Sequence, residues 1–303
     1  MSSAFGESVW VFHAGALGDH VMIWPLVRAM ARQGSKVTVV AAASHARLCE
    51  REAGAFVNGG GAKRVVGISA EMGRFTRMWA GTESEERDVV RGVSTVLSFV
   101  ASEADEGGRL WMGAAREMFP KAAIECVGMP GSASRRAVWQ KARVIEFGGV
   151  AAVENAVGPI VLFTGAGGAS KRWPMERWVK LAARLEEIAR VELLAGSVEA
   201  ERLDAKEREM FERAGGRVIG TGGDLEPLTE LARNSRMFIG CDTGPTHLAA
   251  QLGVPAIALF GPTDPSVWSP VGAQVRVIAP ERPAEMGWLS VEDVVAAARE
   301  MVR

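Results

Sequence analysis

The sequence predicts an α/β protein made of two Rossmann-like domains whose parallel sheets face each other across a cleft. Three observations predict it. With 303 residues the chain is long for one hydrophobic core, so two domains are expected. Short apolar runs alternate with longer amphipathic segments from end to end, as strands of parallel sheets do with the helices that cover them. In each half a glycine-bearing loop follows the first strand, at residues 13–18 and again at 165–173.

In the first half, residues 9–12 (VWVF) read as a strand, 13–18 as the loop, and 19–33 as a helix with Pro25 near its start and Gly34 past its end. Strands are expected at 36–42, 64–68, 95–102 and 122–127, and helices at 44–53, 72–80, 109–119 and 135–147. The glycine-rich run 55–62 reads as a loop, and the small-residue stretch 148–159 as the linker. The alternation then restarts, with strands at 160–164, 191–195, 217–219, 237–241, 256–260 and 274–279. Between them lie helices at 174–190, 198–214, 225–234 (capped by Asp224) and 247–252, and Ser290 caps a last one that runs to Met301.

Composition narrows the function. A hydrophobic fraction of 48% against 23% charged residues is that of a soluble globular protein, so no long segment needs to be disordered. A net charge of -1 with no dominant basic run argues against nucleic acid as a partner. Cys49, Cys126 and Cys241 are odd in number and far apart, which fits a reducing compartment. The start lacks a positive n-region, and no apolar run approaches the ~18 residues of a membrane span. A cytoplasmic monomer is expected. His13, His20, His45 and His247 show no zinc-motif spacing and no Asp-x-Asp occurs, so no metal is expected.

The stretch 237–270 organises the rest. A buried strand ends at Asp242, the turn Thr243-Gly244-Pro245-Thr246 follows, and a helix begins near His247. Carboxyl ends of parallel strands bind ligands, and a helix start there favours phosphate. Asp242 either accepts from a sugar hydroxyl or anchors the turn, and His247 either donates to a phosphate oxygen or packs. A lone Asp-Thr-Gly in an α/β chain is not an aspartic protease, which needs two carboxylates.

Two further loops carry candidate chemistry. In Gly15-Ala16-Leu17-Gly18-Asp19 the glycines allow close backbone approach. The aspartate sits at a helix start, where it either caps the helix or serves as a general base. In the loop 165–174 (GAGGASKRWP), glycine N–H groups followed by Lys171 suit a diphosphate cradle. It is not a P-loop, because Ser170 and Arg172 stand where glycine and a hydroxyl residue belong, and nucleotide hydrolysis is not expected.

Taken in order, GALGD with Trp24-Pro25-Leu26, Lys171-Arg172-Trp173-Pro174, Asp242-Thr243-Gly244-Pro245-Thr246-His247, and Leu259-Phe260-Gly261-Pro262-Thr263-Asp264-Pro265 with Trp268 resemble glycosyltransferase family 9, the lipopolysaccharide heptosyltransferases. The resemblance is carried by residues 9–33 and 160–270, with His13 standing where the family usually has Arg or Lys. It implies a GT-B fold with an acceptor-binding domain (1–150), a nucleotide-sugar domain (151–285) and a final helix (286–303) that packs back on the first domain. It implies inverting, metal-independent transfer of a sugar, heptose from ADP-heptose, to a glycan or lipid-linked lipopolysaccharide-core acceptor, with peripheral contact at the inner membrane. The nucleotide-sugar is then a substrate, and no cofactor is implied. By position Asp19 is the implied base and Lys171 the phosphate ligand; Gly18, Ala166, Gly167, Glu199, Asp242, Thr243, Gly244 and His247 are the implied donor contacts. Two other readings stay open: a nucleotide-sugar epimerase or hydrolase, needing no second sugar acceptor, and a non-catalytic nucleotide-sugar-binding protein.

Overall fold

The computed structural model describes residues 6–55, 57, 64–72, 75, 90, 92–100, 106–127, 158–221 and 223–302. It divides into two compact units, Met1–Glu146 and Phe147–Arg303. The helix expected at 135–147 lies outside the described residues, as do most of the helix at 72–80 and of the linker at 148–159.

In the first unit β1 (Ser8–Phe12) leads through a loop to α1 (Leu17–Met22) and α2 (Trp24–Arg32), followed by β2 (Lys36–Ala41), α3 (Ala43–Ala55), β3 (Val65–Ser69), β4 (Thr95–Ser98), α4 (Glu106–Met118) and β5 (Ala123–Cys126). The single helix expected over 19–33 is two helices. Pro25 has no N–H and its ring crowds the carbonyl one turn back, so the helix breaks at Ile23 and restarts with Pro25 in its first turn. Among the described residues the strands form a parallel sheet in the order β3-β2-β1-β4-β5. One of its faces is an aromatic core in which Trp10, Phe12, Phe75, Trp111 and Phe119 meet at tilted or edge-on angles.

The second unit repeats the plan with β6 (Ile160–Phe163), α5 (Met175–Leu185), β7 (Val191–Gly196), α6 (Ser197–Glu201), α7 (Ala205–Arg213), β8 (Arg217–Ile219), α8 (Glu226–Arg233), β9 (Met237–Cys241), α9 (Gly244–Gln251), β10 (Ala256–Leu259), α10 (Pro265–Trp268), β11 (Val275–Ile278) and α11 (Val291–Val302). The helix expected over 198–214 also divides. Asp204 accepts from Glu207 N at 2.8 Å and Glu207 Oε2 from Asp204 N at 3.3 Å, a capping box that starts a new helix. The parallel sheet runs β11-β10-β9-β6-β7-β8, so the order reverses between β6 and β9, as it does between β1 and β4 in the first unit.

These reversal points place the site. At such a point the crossover connections on the two sides diverge, leaving a crevice at the carboxyl ends of the strands. α5 seals one face of the second sheet with Met175, Trp178, Leu181, Ala182 and Leu185, spaced to share one side of the helix. Val291, Val294, Val295, Ala297 and Ala298 of α11 join the same core, and α11 lies against α5. Trp173 Nε1 donates to Leu289 O at 3.2 Å, tying the loop after β6 to the approach to α11.

Candidate active site

Each unit presents candidate residues at the end of its first strand. In the second unit β6 ends at Phe163, and the chain passes through Gly165, Ala166 and Gly167, whose N–H groups have no partner among the described residues. Ala166 points its methyl into the core, whereas Gly167 is exposed. Any contact Ala166 makes with a ligand is therefore through its backbone. A short 3-10 turn, Ala169–Lys171, then brings Lys171 round so that its Nζ donates to Asp242 Oδ2 at 2.8 Å.

Asp242 stands one residue past β9, its side chain 7% exposed. Its Oδ2 also accepts from Thr263 Oγ1 at 2.9 Å, and His247 Nε2 faces its Oδ1 at 3.3 Å. Burial alone would raise the carboxyl, but the contacts with His247 and Lys171 outweigh it and hold Asp242 below the usual carboxylate range. Asp242 thus ties together the loops after three strands, and His247 is buried against it. Thr243 is the N-cap of α9 but caps no N–H with its side chain, turning instead towards Cys241 O and Thr246 Oγ1, each at 3.3 Å. The first turn of α9, opened by Gly244, thus keeps backbone N–H groups for an anion. Cys241 is no competing nucleophile, because burial pushes its thiol up to about 12.

Glu199 lies in the first turn of α6, past the end of β7. A Cβ on Gly196 would meet its Oε2 at 2.2 Å and Thr221 Oγ1 at 3.0 Å, and one on Gly165 would meet its Cγ at 2.9 Å. The carboxylate therefore lies over two glycines that leave it room. Its Oε2 is buried without a hydrogen-bond partner among the described residues, an acceptor suited to a ligand hydroxyl.

In the first unit Asp19 occupies the first turn of α1, next to Gly18, and both are half-buried. A Cβ on Gly15 would stand 2.9 Å from Asp19 Cβ, 3.0 Å from its Oδ2 and 2.8 Å from His13 Cε1, so this glycine is what lets both side chains close over the loop. Gly15 N donates to His13 Nδ1 at 3.2 Å, which places the proton of the neutral ring on Nε2.

Beside His13 the structure adds ring contacts that the spacing does not reveal. His20 meets the ring of His13 edge-on at 5.2 Å and stacks on His45 at 5.1 Å, and its Nε2 donates to His45 O at 3.0 Å. Burial lowers His13 to about 4, helped by His45; it lowers His20 and His45 as well, so the cluster is neutral near pH 7. Stacked rings do not aim their nitrogens at a common point, and no metal-ligating group of three exists among the described residues.

Thr263 and Thr221 are further polar groups the sequence reading assigned no role. Thr263 lies in the quoted Gly-Pro-Thr-Asp-Pro run, but its link to Asp242 spans 21 residues and two strand ends.

Two doubly wound parallel units, each with its candidate residues at the end of the first strand, place the protein in the GT-B class of folds. Similar solved structures cover nearly all of it: Escherichia coli heptosyltransferase WaaC with ADP (TM-score 0.62, 18% identity, 97% of this chain and 99% of that one) and a glycosyltransferase family 9 protein from Veillonella parvula (TM-score 0.65, 17% identity, 98% and 97%). A family model described as Glycosyltransferase family 9 (heptosyltransferase) matches residues 135–287, half of the chain, and the chain belongs to that family. Among curated relatives it is 33% identical over 116 residues to lipooligosaccharide heptosyltransferase 2 of Haemophilus ducreyi, across 37% of this chain and 33% of the relative. It is 35% identical over 114 residues to lipopolysaccharide heptosyltransferase 1 of Pseudomonas aeruginosa, across 35% and 29%. These matches span about a third of each relative's length.

Proposed function

We propose that the protein is an inverting, metal-independent glycosyltransferase that moves heptose from ADP-heptose to a lipopolysaccharide-core acceptor. The observation that carries this reading is the Lys171–Asp242 pair at the reversal point of the second sheet, beside the N–H groups of Gly165, Ala166 and Gly167, which have no partner among the described residues, and the first turn of α9. A cation and a row of backbone donors around one crevice suit a diphosphate. Glu199 Oε2, buried and without a hydrogen-bond partner among the described residues, suits the hydroxyls of a nucleoside ribose. The relatives supply the heptose and the acceptor class, and such acceptors bring peripheral contact with the inner membrane. Among the described residues no helix is long and apolar enough to cross a membrane.

In this reading Asp19 takes the proton from an acceptor hydroxyl, whose oxygen attacks the anomeric carbon on the face opposite the leaving ADP. The C–O bond to the diphosphate breaks as the new glycosidic bond forms. Lys171, the glycine-loop N–H groups and the start of α9 stabilise the charge that builds on the departing phosphate oxygen. Asp242 orients Lys171 before the donor arrives and is placed to accept from a sugar hydroxyl once Lys171 turns to phosphate.

The test is incubation with ADP-heptose and a heptose-deficient lipopolysaccharide core, read by mass spectrometry. The expected product is the acceptor heavier by one heptose, with ADP released in equal amount and no effect of a chelator. ADP release or sugar epimerisation that needs no acceptor would overturn the reading.

A further inference from the structure

Three strand ends converge on one carboxylate. Lys171 comes from the loop after β6, Asp242 follows β9, and Thr263 belongs to the loop after β10. Lys171 Nζ and Thr263 Oγ1 both donate to the same oxygen, Asp242 Oδ2, at 2.8 and 2.9 Å, while His247 faces the other oxygen. The loop that carries Thr263 is held at both ends. Gly261 O accepts from Ala284 N at 3.1 Å, and Asp264 Oδ1 accepts from Ser266 N at 2.9 Å at the start of α10. Its hydroxyl is therefore presented by fixed backbone rather than by a wandering side chain.

The double occupancy bears on how Lys171 serves a donor. To stabilise a diphosphate, the ammonium has to turn some of its hydrogen bonding away from Asp242. Were Lys171 the sole donor to Oδ2, its departure would leave a buried carboxylate oxygen unsatisfied, a state disfavoured strongly enough to hold the lysine where it is. With Thr263 in place, Oδ2 keeps a donor throughout.

We infer that Thr263 is a positioning residue for the donor step: its hydroxyl holds Asp242 so that Lys171 can exchange from the carboxylate to the donor's diphosphate. This rests on the reading of Lys171 as the diphosphate ligand. In this role Thr263 acts through Asp242, to which its hydroxyl donates. Valine keeps the shape of threonine without the hydroxyl, and serine keeps the hydroxyl without the methyl.

The experiment is calorimetric titration of wild type, Thr263→Val, Thr263→Ser, Lys171→Met and the Thr263→Val/Lys171→Met double variant with ADP-heptose, with a thermal melt of each. Wild type should bind. Thr263→Val should weaken binding about tenfold, the scale of one hydrogen bond to a charged group, with the loss shrinking once pH falls far enough to protonate Asp242 and end its hold on Lys171. Thr263→Ser should bind within about threefold of wild type. In the Lys171→Met background the valine substitution should cost nothing further, because the exchange it assists no longer takes place. Unchanged binding by Thr263→Val, failure of serine to rescue, or an equal loss in both backgrounds would each overturn the inference. If wild type itself does not bind ADP-heptose, the donor reading fails and the role of Thr263 falls with it.

Discussion

Lys171 Nζ lies 2.8 Å from Asp242 Oδ2, an ion pair joining the ends of two adjacent strands across 71 residues of sequence. The lysine side chain is 30% exposed and the aspartate 7%, so the cation faces the crevice while the anion is embedded beneath it. A free lysine would keep its full charge for any anion, whereas this one is oriented in advance and partly neutralised until a ligand competes.

Lys171→Met should leave the buried Asp242 carboxylate without its cationic partner, its Oδ2 held by Thr263 alone. The expected destabilisation is about 1–2 kcal/mol, discounted for the solvent that screens the lysine. Urea unfolding at neutral pH and again in acid checks it. The folded-state value of Asp242 lies below its unfolded one, so its contribution is fully present above the ordinary carboxylate range and disappears as pH falls through the lowered value. The gap between wild type and variant should therefore close in strong acid, and a constant gap would contradict the assignment.

Asp19→Asn should leave donor affinity within about twofold of wild type and lower turnover by about 10²- to 10⁴-fold, the usual worth of a positioned base. Calorimetry with ADP-heptose and a steady-state transfer assay separate the two. Turnover near wild type would remove Asp19 from the mechanism.

Acid should also act through the histidine cluster. His13 titrates at about 4 in the folded protein against 6.5 as its ordinary value, so between those values the unfolded chain binds the extra proton. Stability should fall as pH is lowered through this window, by about 3 kcal/mol for His13 alone. His13→Gln should flatten the slope of unfolding free energy against pH between about 6.5 and 4. An unchanged slope would show that the ring is not held neutral by its surroundings.

Gly196→Ala should weaken ADP binding, since the added methyl would meet Glu199 Oε2 at 2.2 Å and Thr221 Oγ1 at 3.0 Å. Glu199→Gln, which keeps the shape but loses the charge, should weaken binding by about tenfold. Both losses should be smaller for a 2'-deoxy,3'-deoxy analogue of ADP, and equal losses for the two ligands would place Glu199 away from the ribose.

The sequence made the doubly wound alternation legible because each signal is local. Apolar runs such as 237–241 and 256–259 need both faces buried, and a proline or cap residue announces a helix start without reference to anything distant. Where a helical run contains a second start signal, that signal divides the helix. Pro25 breaks what reads as one helix over 19–33, and the box formed by Asp204 and Glu207 breaks another over 198–214. The chemistry of the candidate site was legible as residue types and illegible as partnerships. The lysine's orientation, Thr263 on the same oxygen, and His45 stacked on His20 all depend on contacts between distant segments, and no spacing rule encodes them.

The configuration of the transferred sugar tests the account most directly. ADP-heptose of known anomeric configuration, the heptose-deficient acceptor and the purified protein should give a product whose new glycosidic bond, assigned by nuclear magnetic resonance from its one-bond carbon–proton coupling, is inverted relative to the donor. That result requires attack by the acceptor oxygen from the face opposite the diphosphate, as a base such as Asp19 and a diphosphate held by Lys171 demand. A product of retained configuration would contradict single displacement and the roles assigned to both residues.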